Sequence, residues 1–356
     1  MIEEHKTEDR RKSFKELSLS ITEPQYREID AISYSMLSRF QREGFRKLEH
    51  LYDKIESPSL TFGSIVDTML TDGMEAFNEK FVISDFPELT DSLVNITKQL
   101  YALCGSMEFD DIPDDIISQI CVDNDYYKSD KYKSYRIKNV RENCSYYFSL
   151  LKCYEGRTVI TQQDYNDAMN CVDELKTNVR TQFYFNNDPF SMDVEKLFQL
   201  KFTGEYNGIT IKCMPDLVVV NHKEKIIIPC DLKTTGSPEE IFGEHSFYQW
   251  RYFYQAQMYT YILKQIISKD EYFKDFKIKG YEFIVINRNT LTPMVWHYDS
   301  NFSETDITDK NGEIIPAWRT VLKQLDYYRK FYSEHEYYPN YPVGYEDMVL
   351  QIPLYN

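Results

Sequence analysis

Flexible connectors are scarce in this sequence: its 356 residues include 12 glycines and 13 prolines, with no Ser/Gly-rich or Pro-rich run. Runs of that kind separate independently moving domains. Without them the chain reads as one elaborated domain or two closely packed ones, long enough to bury a large core. No internal repeat is present. The first ten residues, Met1 to Arg10, are charged rather than apolar, which excludes a signal peptide or membrane span there and leads to the expectation of a cytoplasmic protein without a membrane partner. Seven cysteines (Cys104, Cys121, Cys144, Cys153, Cys171, Cys213 and Cys230) lie scattered without Cys-x-x-Cys spacing. That disfavours zinc and iron–sulfur sites and favours free thiols. An excess of positive charge is also missing: 41 Lys and Arg stand against 57 Asp and Glu, a net charge of -16. A uniformly acidic body repels a phosphodiester backbone, so work on nucleic acid would need a local basic patch. Two groups offer one, Arg39, Arg42, Arg46 and Lys47, or Lys128, Lys131, Lys133, Arg136, Lys138 and Arg141. Each can equally be a solvated helix face.

The most informative residues lie late in the chain: Glu195, Met214-Pro215-Asp216 and Cys230-Asp231-Leu232-Lys233. Ile209 to Val220 and Lys225 to Lys233 are apolar, β-branched runs separated by the polar turn Asn221-His-Lys-Glu-Lys225, which reads as a hairpin. A turn centred near Lys223 sets Asp231 opposite about residue 215, beside Asp216. Leu197-Phe-Gln-Leu-Lys-Phe202 and the turn Gly204-Glu-Tyr-Asn-Gly208 form a second hairpin, which sets about residue 196 opposite Asp216 and so brings Glu195 near. A slip of one residue would reverse the face. Asp231 and Lys233, two apart on one strand, share a face in any register.

Carboxylates grouped in this way suit Mg²⁺ or Mn²⁺, hard cations that take oxygen ligands. Asp216 and Asp231 can hold one, with the Leu232 carbonyl as a further oxygen. Such a cation polarises a phosphate and acidifies water, and an ammonium at Lys233 offsets the charge that develops. The bland alternative is an ion pair at a strand end. Acid-x-Lys by itself is a weak pattern, since Glu4-His-Lys6, Glu174-Leu-Lys176 and Asp275-Phe-Lys277 also match it. What sets Asp231-Leu-Lys233 apart is its place at the end of an apolar strand opposite Pro215-Asp216, where charges are seldom put unless paired or liganding.

The runs Cys213-Met-Pro-Asp216, Cys230-Asp-Leu-Lys-Thr-Thr235 and Trp250-Arg-Tyr-Phe-Tyr-Gln-Ala-Gln-Met-Tyr259 together resemble the PD-(D/E)xK nuclease superfamily, in particular its phage and prophage branch around exonuclease VIII and lambda exonuclease. The resemblance implies metal ligands at Asp216 and Asp231, a catalytic lysine at Lys233, a supporting acid at Glu195 and a Gln-x-x-x-Tyr helix at Gln255 and Tyr259. By spacing alone, Arg251, Gln255 and Tyr259 project from one helix face able to grip DNA, or belong to an aromatic-rich core helix. Near the N-terminus, Ile32-Ser-Tyr-Ser-Met-Leu-Ser38 and the run from Ser57 to Leu70 resemble the opening helices of the family. Relatives often carry a histidine ligand where this chain has Asp67, itself an oxygen donor and so either a ligand or a support for one. The resemblance covers roughly residues 31–83 and 191–300.

The expected fold class is α/β, a restriction-endonuclease-like core with a mixed central β-sheet flanked by helices and a helical insertion. The division expected is residues 1–85 as N-terminal helices packing on the core, 86–190 as the insertion, 191–300 as the catalytic core and 301–356 as a C-terminal helix and tail. Helices are expected at 33–46, 62–71, 246–267 and 317–333, and strands at 195–202, 210–220, 225–233, 281–287 and 294–298. The function expected is that of a Mg²⁺/Mn²⁺-dependent DNA exonuclease of phage-type recombination or replication, in the host cytoplasm if phage-encoded. DNA is the expected partner, with a phage recombination or annealing protein and a homo-oligomer as options. A structure-specific or single-strand endonuclease and a non-catalytic DNA-binding protein of the same fold are the alternatives.

Overall fold

Ser and Thr caps set the helix starts of the N-terminal half. The computed structural model describes residues 11–44, 47, 48, 51, 57–84, 89–154, 156–186, 193–299, 305–309 and 312–336. Thr22 caps α1 (Glu23–Glu28), whose end leads to the short strand β1 (Ile32–Ser33), and the Ser33 hydroxyl caps α2 (Tyr34–Glu43). Ser57 caps α3 (Pro58–Thr71), where proline in the first turn sacrifices no hydrogen bond. Then come α4 (Gly73–Lys80) and β2 (Phe81–Ile83). Helices α5 (Asp91–Cys104), α6 (Asp114–Asp123) and α7 (Lys133–Cys153) close over a core of their own, with Leu100, Ile117, Val140 and Phe148 at its centre. Strand β3 (Thr158–Ile160) pairs in parallel with β2, and α8 (Gln162–Thr177) with the short α9 (Gln182–Phe185) returns the chain against α3.

The second half supplies most of the strands: β4 (Val194–Phe198), β5 (Phe202–Tyr206), β6 (Ile209–Cys213), β7 (Leu217–Asn221) and β8 (Ile226–Thr235). After α10 (Ser246–Gln249) and α11 (Tyr252–Ser268) follow β9 (Lys277–Ile278), β10 (Tyr281–Asn287), β11 (Met294–Tyr298), β12 (Ile307–Thr308), β13 (Ile314–Ile315) and α12 (Trp318–His335). The central sheet has the order β11-β10-β8-β7-β4, with β9 beside the start of β8. Its β8–β10 pair is parallel and its β7–β8 and β4–β7 pairs are antiparallel. Alternation along the strands gives the sheet two apolar faces. Val218, Val220, Phe283 and Val285 meet α11 and α12 on one side, while Leu217, Val219, Ile284 and Ile286 meet α3 and α8 on the other. The result is a mixed α/β fold, a central sheet flanked by helices, as the sequence led one to expect. No described helix is long and apolar enough to cross a membrane.

Three expected elements prove to be two pieces each. The run 195–202 breaks after Phe198, where Gln199 takes a left-handed φ of 49°. The run 210–220 breaks at Met214-Pro215-Asp216, since Pro215 has no N–H to give to a ladder. Between these breaks β5 and β6 leave the central sheet and join β1 in a three-stranded one, turning at Asn207-Gly208, both at positive φ. The expected 246–267 helix is interrupted by Arg251, at φ 58°, between α10 and α11. Helix α2 ends at Glu43, and Arg46 and the tail 337–356 lie outside the described residues.

Candidate active site

Strand β8 outruns its neighbour. Its antiparallel pairing with β7 reaches only Leu217–Cys230, whereas its pairing with β10 continues to Thr235–Asn287. Past the end of β7 the Leu232 N–H is free of the ladder, and the carboxylate of Asp216, one residue before β7, takes it at 2.8 Å. Extending the register sets Asp231 level with Asp216, one residue from the sequence arithmetic, so the two aspartates do meet. Asp231 is 2% exposed; its Oδ1 accepts from the Tyr281 hydroxyl at 3.3 Å and its Oδ2 is ion-paired with Lys233. The Lys233 ammonium sits 4.6 Å from the centroid of the Tyr252 ring. Burial disfavours its charge, but Asp231 and then Tyr252 and Asp216 outweigh that and hold Lys233 above the ordinary lysine range.

A third carboxylate arrives from α3. Asp67 accepts from Gln199 Nε2 at 2.8 Å through Oδ2, while its buried Oδ1 has no partner. Burial first, then Asp72 and Asp231, push Asp67 from 3.8 up to about 6. Burial, then Asp231 and Asp67, likewise push Asp216 well above the carboxylate range. Asp67, Thr71, Asp216 and Asp231, together with Phe185, Phe198, Leu217, Cys230, Leu232 and Ile284, line a small cavity of about 10 Å³ whose open surface is apolar. Helix α3 approaches β8 closely here: a Cβ on Gly63 would lie 3.1 Å from Thr234 Oγ1.

Among the described residues no three His, Cys, Asp or Glu side chains converge as metal ligands. Asp231 is turned to Lys233 and Asp216 to the Leu232 amide. The donor set nonetheless suits a hard cation: it is all oxygen, one buried carboxylate oxygen is orphaned, and like charges crowd each other in a way a cation relieves.

The structure does not bring Glu195 into this group. It pairs with Val220, four residues along β7 from Asp216 and so about 13 Å away at 3.3 Å per residue. There it accepts from Ser13 Oγ, from Phe14 N at 3.0 Å and lies 3.3 Å from His222 Nε2, fastening the N-terminal arm. Its displacement follows from the two strand breaks, which moved the register of β4. Gln255 and Tyr259 share a face of α11, but it is turned inward, with the two residues 4% and 8% exposed rather than set out for DNA. Tyr259 stacks edge-on to Tyr281, 6.1 Å between centroids, in the layer that also senses Asp231. Arg251 precedes the helix and donates to Gln41 Oε1 at 2.7 Å.

Of the two basic groups, the one at 128–141 is largely neutralised. Lys128 pairs with Asp125, Lys133 with Asp115, Lys138 with Glu142 and Arg141 with Asp114, while Arg136 is buried. On α2, Arg39 pairs with Glu43 at 3.2 Å, and Arg42 lies 4.8 Å over the ring of Trp250, which is 40% exposed. Tyr34 and Ser38 bind the Trp250 carbonyl at 2.6 and 2.7 Å, and the Tyr34 ring is 6.2 Å from that of Tyr252. The Arg42–Trp250–Arg251 surface is thus one aromatic layer from Lys233. Sequence reasoning missed Gln199, Tyr34, Tyr252 and Tyr281. Only Tyr281, at the head of an apolar strand, carries a visible signal, and that signal reads as core.

No family model matches this chain, and no curated protein matches it. Among solved structures, a candidate exonuclease from Eubacterium rectale aligns at TM-score 0.41 and 12% identity, covering 88% of this chain and 85% of its own. The structure of SSO0001 aligns at TM-score 0.27 and 12% identity, covering 80% of this chain and 88% of its own.

Proposed function

We propose that this chain is a divalent-cation-dependent DNA exonuclease of the PD-(D/E)xK type. The observation that carries the reading is the meeting of Asp216, Asp231 and Lys233 where β8 outruns β7, with Asp67 lining the same small cavity. Asp216 and Asp231 would hold Mg²⁺ or Mn²⁺, with Asp67 and the Leu232 carbonyl as further oxygen donors. When bound, the cation supplies Lewis acidity toward a phosphodiester and an acidified water. Lys233 contributes a fixed ammonium with donors for the attacking water and for charge building on the phosphate oxygens. Asp231 orients that ammonium, Tyr281 orients Asp231, and the ring of Tyr252 keeps water from one side of it. Arg42 and Arg251 offer charge to a DNA backbone, and exposed Trp250 offers a face on which a base can stack. A local patch of this kind is what a chain of net charge -16 needs.

The test is cleavage of a 5′-labelled linear duplex and a matching closed circle, with Mg²⁺, Mn²⁺ or EDTA, beside Lys233→Ala. The expected result is degradation of the linear DNA alone, only with metal and only by the wild type. Nicking of the circle would favour an endonuclease of the same superfamily, and metal-independent binding without cleavage would remove the catalytic reading.

A further inference from the structure

We propose that Gln199 is a positioning residue that presents Asp67 to the cation, an inference that rests on the function proposed above. Gln199 stands at the crossover where the chain leaves the central sheet, with φ at 49°. A non-glycine side chain in that region is disfavoured, and asparagine or glycine fills it at lower strain when only a turn is wanted. Residues held so cluster where function over-determines the backbone. Glutamine adds reach here. Its Nε2 donates to Asp67 Oδ2 at 2.8 Å and lies 3.2 Å from Thr71 Oγ1, bridging two positions one helical turn apart on α3.

The same residue also holds the other side of the cavity. The Gln199 N–H donates to the carbonyl of Asp216 at 3.0 Å. One residue therefore ties α3 to the segment that carries Asp216, through its side chain on one side and its backbone on the other. The consequence is visible at Asp67: with Oδ2 occupied by the amide, the remaining oxygen, Oδ1, is buried and has no partner. A buried carboxylate oxygen without a donor is expensive to keep, and Asp67 shares the lining of one cavity with Asp216 and Asp231. An amide that holds one carboxylate oxygen and leaves its twin without a protein partner matches the way outer groups orient metal ligands.

Two variants separate these roles in the full chain. Gln199→Met keeps the length and packing and removes the amide; Gln199→Gly removes the side chain and relieves the backbone. Each is titrated with Mn²⁺ by calorimetry without DNA. The expected result is an affinity about 10- to 100-fold weaker than wild type in both. The Mn²⁺ concentration needed for cleavage should rise by the same factor, with KM for DNA unmoved. Asp67→Asn combined with Gln199→Met should lose no more affinity than Asp67→Asn alone, because the two act as one unit. Wild-type Mn²⁺ affinity in both single variants would overturn the assignment while leaving the nuclease reading intact. A wild-type protein that binds no Mn²⁺ would overturn the site itself, and this role with it.

Discussion

Replacing Asp67 by asparagine should stabilise the metal-free protein at neutral pH, the opposite of what loss of a buried hydrogen-bonding carboxylate ordinarily does. Asparagine keeps an oxygen for the Gln199 amide while removing one of three crowded negative charges. Asp67 is raised from 3.8 to about 6, chiefly by burial and then by Asp72 and Asp231, so between those values the native state binds more protons than the unfolded one. Stability therefore falls as pH rises across that window and the full penalty is present above it. The gap corresponds to about 3 kcal/mol as an upper figure, and Asp216, raised for the same reasons, adds in the same direction. Denaturant unfolding in EDTA should find Asp67→Asn more stable than wild type by about 1–3 kcal/mol at pH 7.5 and equal to it near pH 4. Excess Mn²⁺ should then stabilise the wild type more than the variant. An Asp67→Asn protein that is less stable than wild type by the same amount at both pH values would refute the reasoning, because the carboxylate would then be an ordinary hydrogen-bonding group.

Other outcomes follow from the same geometry. Lys233→Ala should lower the cleavage rate by about 10²–10⁴-fold in single-turnover assays while DNA binding persists. Glu195→Gln should leave cleavage at the wild-type rate but cost about 1–3 kcal/mol in denaturant unfolding, since it loosens the contacts to Ser13, Phe14 and His222. Arg42→Ala should weaken DNA binding across sequences and reduce the slope of log affinity against log salt by about 1, measured by fluorescence anisotropy.

The sequence made the β7–β8 hairpin legible because two β-branched runs flank a polar turn, and pairing within a hairpin is nearly fixed once the turn is placed. Asp216 and Asp231 could therefore be brought together from residue numbers alone. Glu195 could not, because its position depended on reading 195–202 and 210–220 as unbroken strands. Pro215 argued against the second, since a proline cannot serve a central ladder. Gln199 gave no warning, because a left-handed glutamine is held by tertiary contacts to Asp67, Thr71 and Asp216 rather than by local preference. The break at Arg251 is of the same kind: φ 58° at an arginine, braced by Gln41 across 210 residues. Spacing also showed that Gln255 and Tyr259 share a face, but not which way it looks. Charge was legible as a total and not as a surface: Lys138–Glu142 and Lys128–Asp125 are local pairs, but the pairing of Lys133 with Asp115 and of Arg141 with Asp114 depends on how α6 and α7 pack.

The most direct measurement of the central claim is anomalous scattering from a crystal soaked in Mn²⁺. The account predicts a peak within coordination distance, about 2.0–2.6 Å, of carboxylate oxygens of Asp216 and Asp231. A crystal that shows no peak there at saturating Mn²⁺, or one whose Mn²⁺ is bound elsewhere while DNA is still cleaved, would contradict it.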